Sequence, residues 1–227
     1  MLALPGEDQV PAMKAIAVLC FFLVISGVFA ADRVPKEMKP KLIREGKVLV
    51  DDKFDAAELD KKWTIPAGEF AGSVSIVSGT AVIESGTGGR QGALWQKLDP
   101  AVTDAGVQLL MKPFATDSMN IHFMDASAPD NRHWKLATHI YADGSVRVVM
   151  PDGKTNKLLK VVRTKLTKDD WWRVSVECKG DHYLVRVNGE TIIDLKHDFA
   201  KGAKYGVMVN LYGGKAAIDE VKVMAGK

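Results

Sequence analysis

Apolar residues occupy every second position through most of this chain. The pattern is clearest in the last third. There Trp172, Val174 and Val176 alternate with Arg173, Ser175 and Glu177, and Tyr183, Val185 and Val187 repeat the spacing. A period of two is that of a strand with one face buried. The interruptions are Gly180-Asp181 and Asn188-Gly189, dipeptides that supply the positive φ angles of a tight hairpin. The same alternation marks residues 48–50, 94–98, 106–111, 119–124, 133–141, 146–150, 158–163, 205–212 and 216–224. Residues 74–77 and 81–83 flank Ser78-Gly79-Thr80 and read as a hairpin. Beyond the first thirty residues no ten-residue segment holds a helical period. Single turns at 56–62 and 168–170 are the most it allows. About a dozen strands with short turns predict an all-β fold, a two-sheet antiparallel jelly-roll sandwich.

The N-terminus breaks the pattern. Residues 15–29 form an apolar run interrupted only by Ser26 and Gly27, with Lys14 before it and Val28-Phe29-Ala30 at its end. A cation, a short apolar run and a small-residue exit predict a signal peptide over residues 1–30, cleaved after Ala30. An uncleaved anchor is the alternative, although the run is short for a membrane span. Glu7 and Asp8 suit the start of such a leader badly, so translation is expected to begin at Met13. Leu19 before Cys20 is too bulky for a lipidation site. Residues 31–46, basic and carrying Pro35 and Pro40, read as a linker or loosely held arm, and 47–227 as the jelly-roll domain. The expected location is secreted or periplasmic, with no membrane association after cleavage.

Composition adds two constraints. Cys178 is the one thiol left after cleavage. It shares the parity of Trp172, so a buried, inert thiol is expected, and the core must supply stability without an internal disulfide. The leader carries Lys14 against Glu7 and Asp8, a net of −1, so its removal takes the whole-chain +3 to +4. Lys and Arg are scattered among carboxylates, with no run that would track a phosphate backbone. No nucleic-acid partner is expected, and the chain reads as a monomer.

Three stretches together carry a resemblance. They are Asp51-Asp52-Lys53-Phe54-Asp55 with Leu59-Asp60 and Trp63, the meander from Trp172 to Asn188-Gly189, and the closing pair at 205–210 and 218–223. In this order they resemble the concanavalin A-like lectin/glucanase jelly rolls. The arrangement is most similar to the secreted bacterial 3-keto-disaccharide hydrolase-like domains, also described as family 16 glycoside hydrolase-like. The resemblance implies that the concave outer face of one sheet holds a sugar. It also implies a structural calcium, ligated by Asp219 on the last strand with a backbone carbonyl from an early hairpin, for which Gly79 stands in place. The paired-carboxylate Glu-x-Asp-x-x-Glu strand of family 16 glycosidases has no counterpart in this sequence. Asp219 and Glu220 are adjacent, and strict alternation puts them on opposite faces. The Arg and Glu of the 3-keto-disaccharide hydrolase-like strands are also absent from the matching stretches, 119–124 and 134–140.

Parity then sorts candidate site residues. Ile121 and Phe123 alternate with Asn120 and His122. Trp134, Leu136 and Ile140 alternate with His133, Lys135, His139 and Tyr141. Val207, Val209 and Leu211 alternate with Asn210 and Tyr212. The apolar sets are expected between the sheets, since each buried large side chain contributes about 1.5–3 kcal/mol. The other sets predict a carbohydrate-binding face of Asn120, His122, His133, His139, Tyr141, Asn210 and Tyr212, with Trp95 beside them. Rings stack on pyranose faces while amides and imidazoles bond hydroxyls. An ordinary polar sheet face is the bland alternative. Three imidazoles on one face also suit zinc, although strand spacing alone brings histidines together. The leading functional expectation is a glycan-binding domain or an accessory to polysaccharide breakdown. A glycoside or 3-keto-disaccharide hydrolase is the second reading, with Asp125 or Asp143 beside His122 as acid–base group. A non-catalytic cell-surface protein-interaction domain is the third.

Overall fold

The computed structural model describes residues 34–125, 134–152 and 155–227, all within one unit, Asp32–Lys227. The strands in chain order are β1 (Lys47–Asp52), β2 (Trp63–Thr64), β3 (Ser73–Val77), β4 (Thr80–Glu84), β5 (Gly92–Val102), β6 (Ala105–Pro113), β7 (Ser118–Met124) and β8 (Trp134–Tyr141). Then follow β9 (Ser145–Asp152), β10 (Thr155–Arg163), β11 (Trp172–Lys179), β12 (His182–Val187), β13 (Glu190–Lys196), β14 (Lys204–Tyr212) and β15 (Lys215–Ala225). Among the described residues the only helical pieces are three short 3₁₀ turns, one of them Gly68–Phe70.

The strands form two antiparallel sheets. One runs β13-β12-β11-β6-β15-β4-β3, with β1 also on β15, and the other runs β10-β9-β8-β7-β14-β5-β2. This is the predicted jelly-roll sandwich. The turns follow their chemistry. Ser78-Gly79 and Asn188-Gly189 both hold two successive positive φ angles (51° and 74°; 51° and 92°), the mirror-image turn whose twist matches paired strands.

Alternation sends one face of each sheet inward. Leu109, Met111, Trp172, Val174 and Val185 from one sheet meet Leu94, Ile121, Phe123, Leu136 and Val209 from the other, all buried. Cys178 lies in this core, and burial raises its thiol pKa. The Thr138 and Tyr183 hydroxyls meet across the layer at 2.9 Å.

Residues 34–46 lie on the outer face of the eight-stranded sheet, against β6, β11 and β12. Their attachment is polar and largely through backbone. Glu177, fully buried on β11, accepts the N–H groups of Lys41 (2.8 Å), Leu42 (2.7 Å) and Ile43 (3.3 Å). It also pairs with Arg186 at 2.8 Å. Gln108 exchanges two hydrogen bonds with the Met38 backbone, and the guanidiniums of Arg173 and Arg186 donate to the carbonyls of Pro35 and Lys39.

Two of the register shifts bear on which side chains share the outer faces. In β15 the register shifts between Asp219 and Lys222. Glu220 there adopts φ 47° and pairs with Arg173 at 2.7 Å. Simple alternation, which separates Asp219 from Glu220, therefore fails at this point. The second bulge lies on β8 at Lys135, opposite Phe123 and Met124 of β7, where Phe123 pairs with Leu136 and Met124 with Trp134.

Candidate functional site

Strand register on the outer face of the seven-stranded sheet builds the site. Neighbouring antiparallel strands place directly opposed side chains about 4.5–5.5 Å apart, so each register row is a line of touching groups. One row is Tyr141, Ser118 and Tyr212. The next is Arg147, His139, Asn120, Asn210 and Ala93. The third is Val149, Ala137, His122, Met208, Trp95 and Thr64. Polar groups thus concentrate in the middle row and apolar ones in the third.

The sequence-derived candidates Asn120, His122, His139, Tyr141, Asn210, Tyr212 and Trp95 all lie in these rows. His133 lies outside the described residues. Trp134 does not join the inter-sheet core expected for it. The β7–β8 bulge leaves Lys135 without a partner and turns Trp134 outward. It packs with Met124, Trp95, Met208 and Phe70 in a second apolar cluster. Its ring meets His122 edge-on, with centroids 5.1 Å apart. Phe70, on the short turn before β3, and Gln91, just before β5, escaped the alternation pattern because neither sits in a strand. Gln91 accepts a hydrogen bond from the Asn210 amide.

The middle of this face is buried and electrostatically neutral. Asn120 and Asn210 are fully buried, and His122 nearly so. Burial holds the His122 imidazole well below its usual pKa, and His139 adds to the effect. Burial and the positive charge of Arg147 bring His139 down to about 4. The two imidazoles stack with centroids 5.7 Å apart. Neutral histidines each carry one donor and one acceptor, the equipment for binding hydroxyl groups. Tyr141 is half-buried under Arg147, whose guanidinium lies 4.1 Å from the ring centroid. Tyr212 is exposed; its phenol pKa is raised by partial burial, by Glu69 and by Tyr141.

Seven buried atoms in these rows have no hydrogen-bond partner among the described residues. They are Trp95 Nε1, both side-chain polar atoms of Asn120, both ring nitrogens of His122, His139 Nε2 and Asn210 Oδ1. Such groups are rare, because each costs about 1–3 kcal/mol when left unpaired. Here they adjoin two indoles.

The suggested acid–base groups do not enter the rows. Asp125 is exposed just past β7. Asp143 is exposed in the β8–β9 turn, where its carboxylate accepts the Ser145 N–H at 2.8 Å. No row position is a carboxylate. Among the described residues no group of three or more His, Cys, Asp or Glu side chains is arranged to hold a metal. On β15, Asp219 is half-buried, and its pKa is raised by burial and by the charges of Glu220 and Asp55. Asp55 in turn lies against the turn at Gly79, its Oδ1 4.0 Å from where a Cβ there would stand.

These two antiparallel layers form a jelly-roll sandwich, the fold that the resemblance implied. Among solved structures the chain is similar to SCLam, a non-specific endo-β-1,3(4)-glucanase from family GH16. That match has 15% identity and a TM-score of 0.62, and covers 86% of this chain and 96% of that one. It is also similar to the exoplasmic/lumenal domain of VIP36 in its Ca2+/Man3GlcNAc-bound form (14% identity, TM-score 0.58, 78% and 87% covered). A third is carbohydrate-binding module CBM66 from Bacillus subtilis (12% identity, TM-score 0.52, 72% and 96% covered). No family model matches the sequence, and no curated protein matches it.

Proposed function

We propose that this chain is a secreted glycan-binding domain, acting alone or as an accessory to polysaccharide breakdown. The sugar would lie on the outer face of the seven-stranded sheet. One observation carries the reading: seven buried, unpartnered polar atoms adjoin Trp95 and Trp134. A pyranose has an apolar face for the indoles and a rim of hydroxyls for Asn120, His122, His139 and Asn210. Hydroxyl partners would offset the desolvation cost that the folded protein otherwise bears. The names of the similar structures, a glucanase, a glycan-bound lectin domain and a carbohydrate-binding module, agree with this class of ligand. Binding is favoured over hydrolysis because retaining cleavage needs two carboxyl groups about 5 Å apart, and the rows contain none. Screening the protein on a glycan array with a hydrolysis readout tests the reading. Capture of a glycan without cleavage, abolished by His122→Ala and weakened by Tyr212→Ala, is expected. Unchanged capture by both variants would remove the site.

A structural calcium is the second element of the proposal, favoured by the placing of Asp55 against the Gly79 turn and by the half-burial of Asp219, whose pKa is raised by burial first and then by the charges of Glu220 and Asp55. Asp219 with a backbone oxygen at Gly79 would hold the ion, and oxygen donors of this kind suit it. It would tie β15 to the β3–β4 turn. Calcium is expected to raise the melting temperature and EDTA to lower it, with both effects lost in Asp219→Asn. Identical melting in calcium and EDTA would exclude the ion.

A further inference from the structure

Arg147 stands apart from the other buried or half-buried guanidiniums of this protein. Arg173 pairs with Glu220 and Arg186 with Glu177, each within 2.8 Å. Arg147 instead ends the polar row on β9, stacked over Tyr141, with no carboxylate partner among the described residues. Asp143, in the adjoining turn, feels the Arg147 charge, but its carboxylate is engaged by Ser145. His139, the row neighbour on β8, stays neutral and offers no counter-charge. On the other side Arg147 opposes Val161 of the edge strand β10, an exposed apolar residue.

A half-buried cation seated over an aromatic ring, without a carboxylate partner among the described residues and in register with a line of hydroxyl-binding groups, is equipped for one kind of ligand. We propose that the glycan bound on this face is acidic, a uronate-type sugar whose carboxylate is received by Arg147. The inference rests on the glycan-binding reading above and narrows it. A planar carboxylate matches the guanidinium fork through two parallel N–H···O bonds, stronger than those to a neutral hydroxyl. The remaining ring hydroxyls then fall along His139, Asn120 and Asn210, and the apolar sugar face toward Trp95 and Trp134. A sulfate ester would offer the same charge with tetrahedral geometry.

The experiment titrates the full chain with a panel of neutral, uronate-containing and sulfated oligosaccharides, each uronate paired with its carboxyl-reduced form. Uronates are expected to bind, and carboxyl reduction to cost roughly tenfold or more in affinity, as for a lost charge-assisted bond. Arg147→Gln should reduce uronate affinity by a similar factor, leave the carboxyl-reduced forms unaffected and keep the wild-type melting temperature. Arg147→Lys should be intermediate, since it keeps the charge and loses the fork. Rising salt should weaken uronate binding in wild type and not in Arg147→Gln. Uronates bound no more tightly than their carboxyl-reduced forms, with affinity unchanged in Arg147→Gln, would overturn the acidic ligand and leave the glycan site standing. A preference for sulfated over carboxylated sugars would overturn the carboxylate. Failure of the whole panel to bind would overturn both readings.

Discussion

Gly206 on β14 decides where Trp95 can lie. A Cβ at position 206 would stand 2.5 Å from Trp95 Nε1 and 3.0 Å from the Gln96 carbonyl. The absence of a side chain therefore lets the indole lie across the strand with its N–H over position 206. Gly206→Ala should force the ring away, because overpacking of this kind costs about 1–3 kcal/mol unless the neighbour moves. The expected outcome is a shifted tryptophan emission and weakened glycan binding in a protein that still folds. Wild-type emission and affinity would show that Trp95 does not depend on the gap. At this scale Asn120, His122, His139 and Asn210 were legible as one face because parity needs only an unbroken strand. Gly206 was not, since the need for a missing side chain appears only once β5 lies beside β14. Trp134 was misplaced for the same kind of reason: a bulge is a property of two paired strands, and neither alone encodes it.

At the scale of elements, the strands and their tight turns were legible, and the attachment of residues 34–46 was not. That stretch is held by backbone N–H groups converging on Glu177 and by backbone carbonyls accepting from Arg173 and Arg186. Backbone groups leave no side-chain pattern, and Glu177 reads as one more polar position on an alternating strand. Its burial makes it costly to remove. Glu177→Ala would leave Arg186 buried without its partner, and breaking such a pair costs about 3–5 kcal/mol. The same change strips three N–H groups of their acceptor, so residues 34–46 should detach before the sandwich unfolds. Urea denaturation is expected to show the loss of stability. Trypsin should nick the variant faster at Lys36, Lys41 or Arg44, which are exposed cationic positions of this segment. Equal cleavage of variant and wild type would mean that other contacts hold the segment.

Across the whole molecule the two outer faces differ in kind. One buries charges that are paired and covered, and the other buries neutral polar groups that are unpaired. The second face makes stability depend on pH through its imidazoles. Burial depresses His122, and burial with Arg147 brings His139 to about 4 from an ordinary 6.5. Below the ordinary value the unfolded chain takes up protons that the folded site refuses, so acid favours unfolding. Their contribution is therefore complete above about pH 6.5 and is lost as pH falls through about 4. Asp219 works the other way. Its raised pKa adds stability that is complete below its ordinary 3.8 and is lost as pH rises through the folded value. Two imidazoles oppose one carboxylate over this window, so the melting temperature should fall as pH is lowered from about 7 toward 4. Replacing His139 with Gln removes one titrating group and should flatten that decline, while leaving melting at neutral pH closer to wild type than at acid pH. A decline of the same steepness in the variant would place the acid sensitivity elsewhere in the protein.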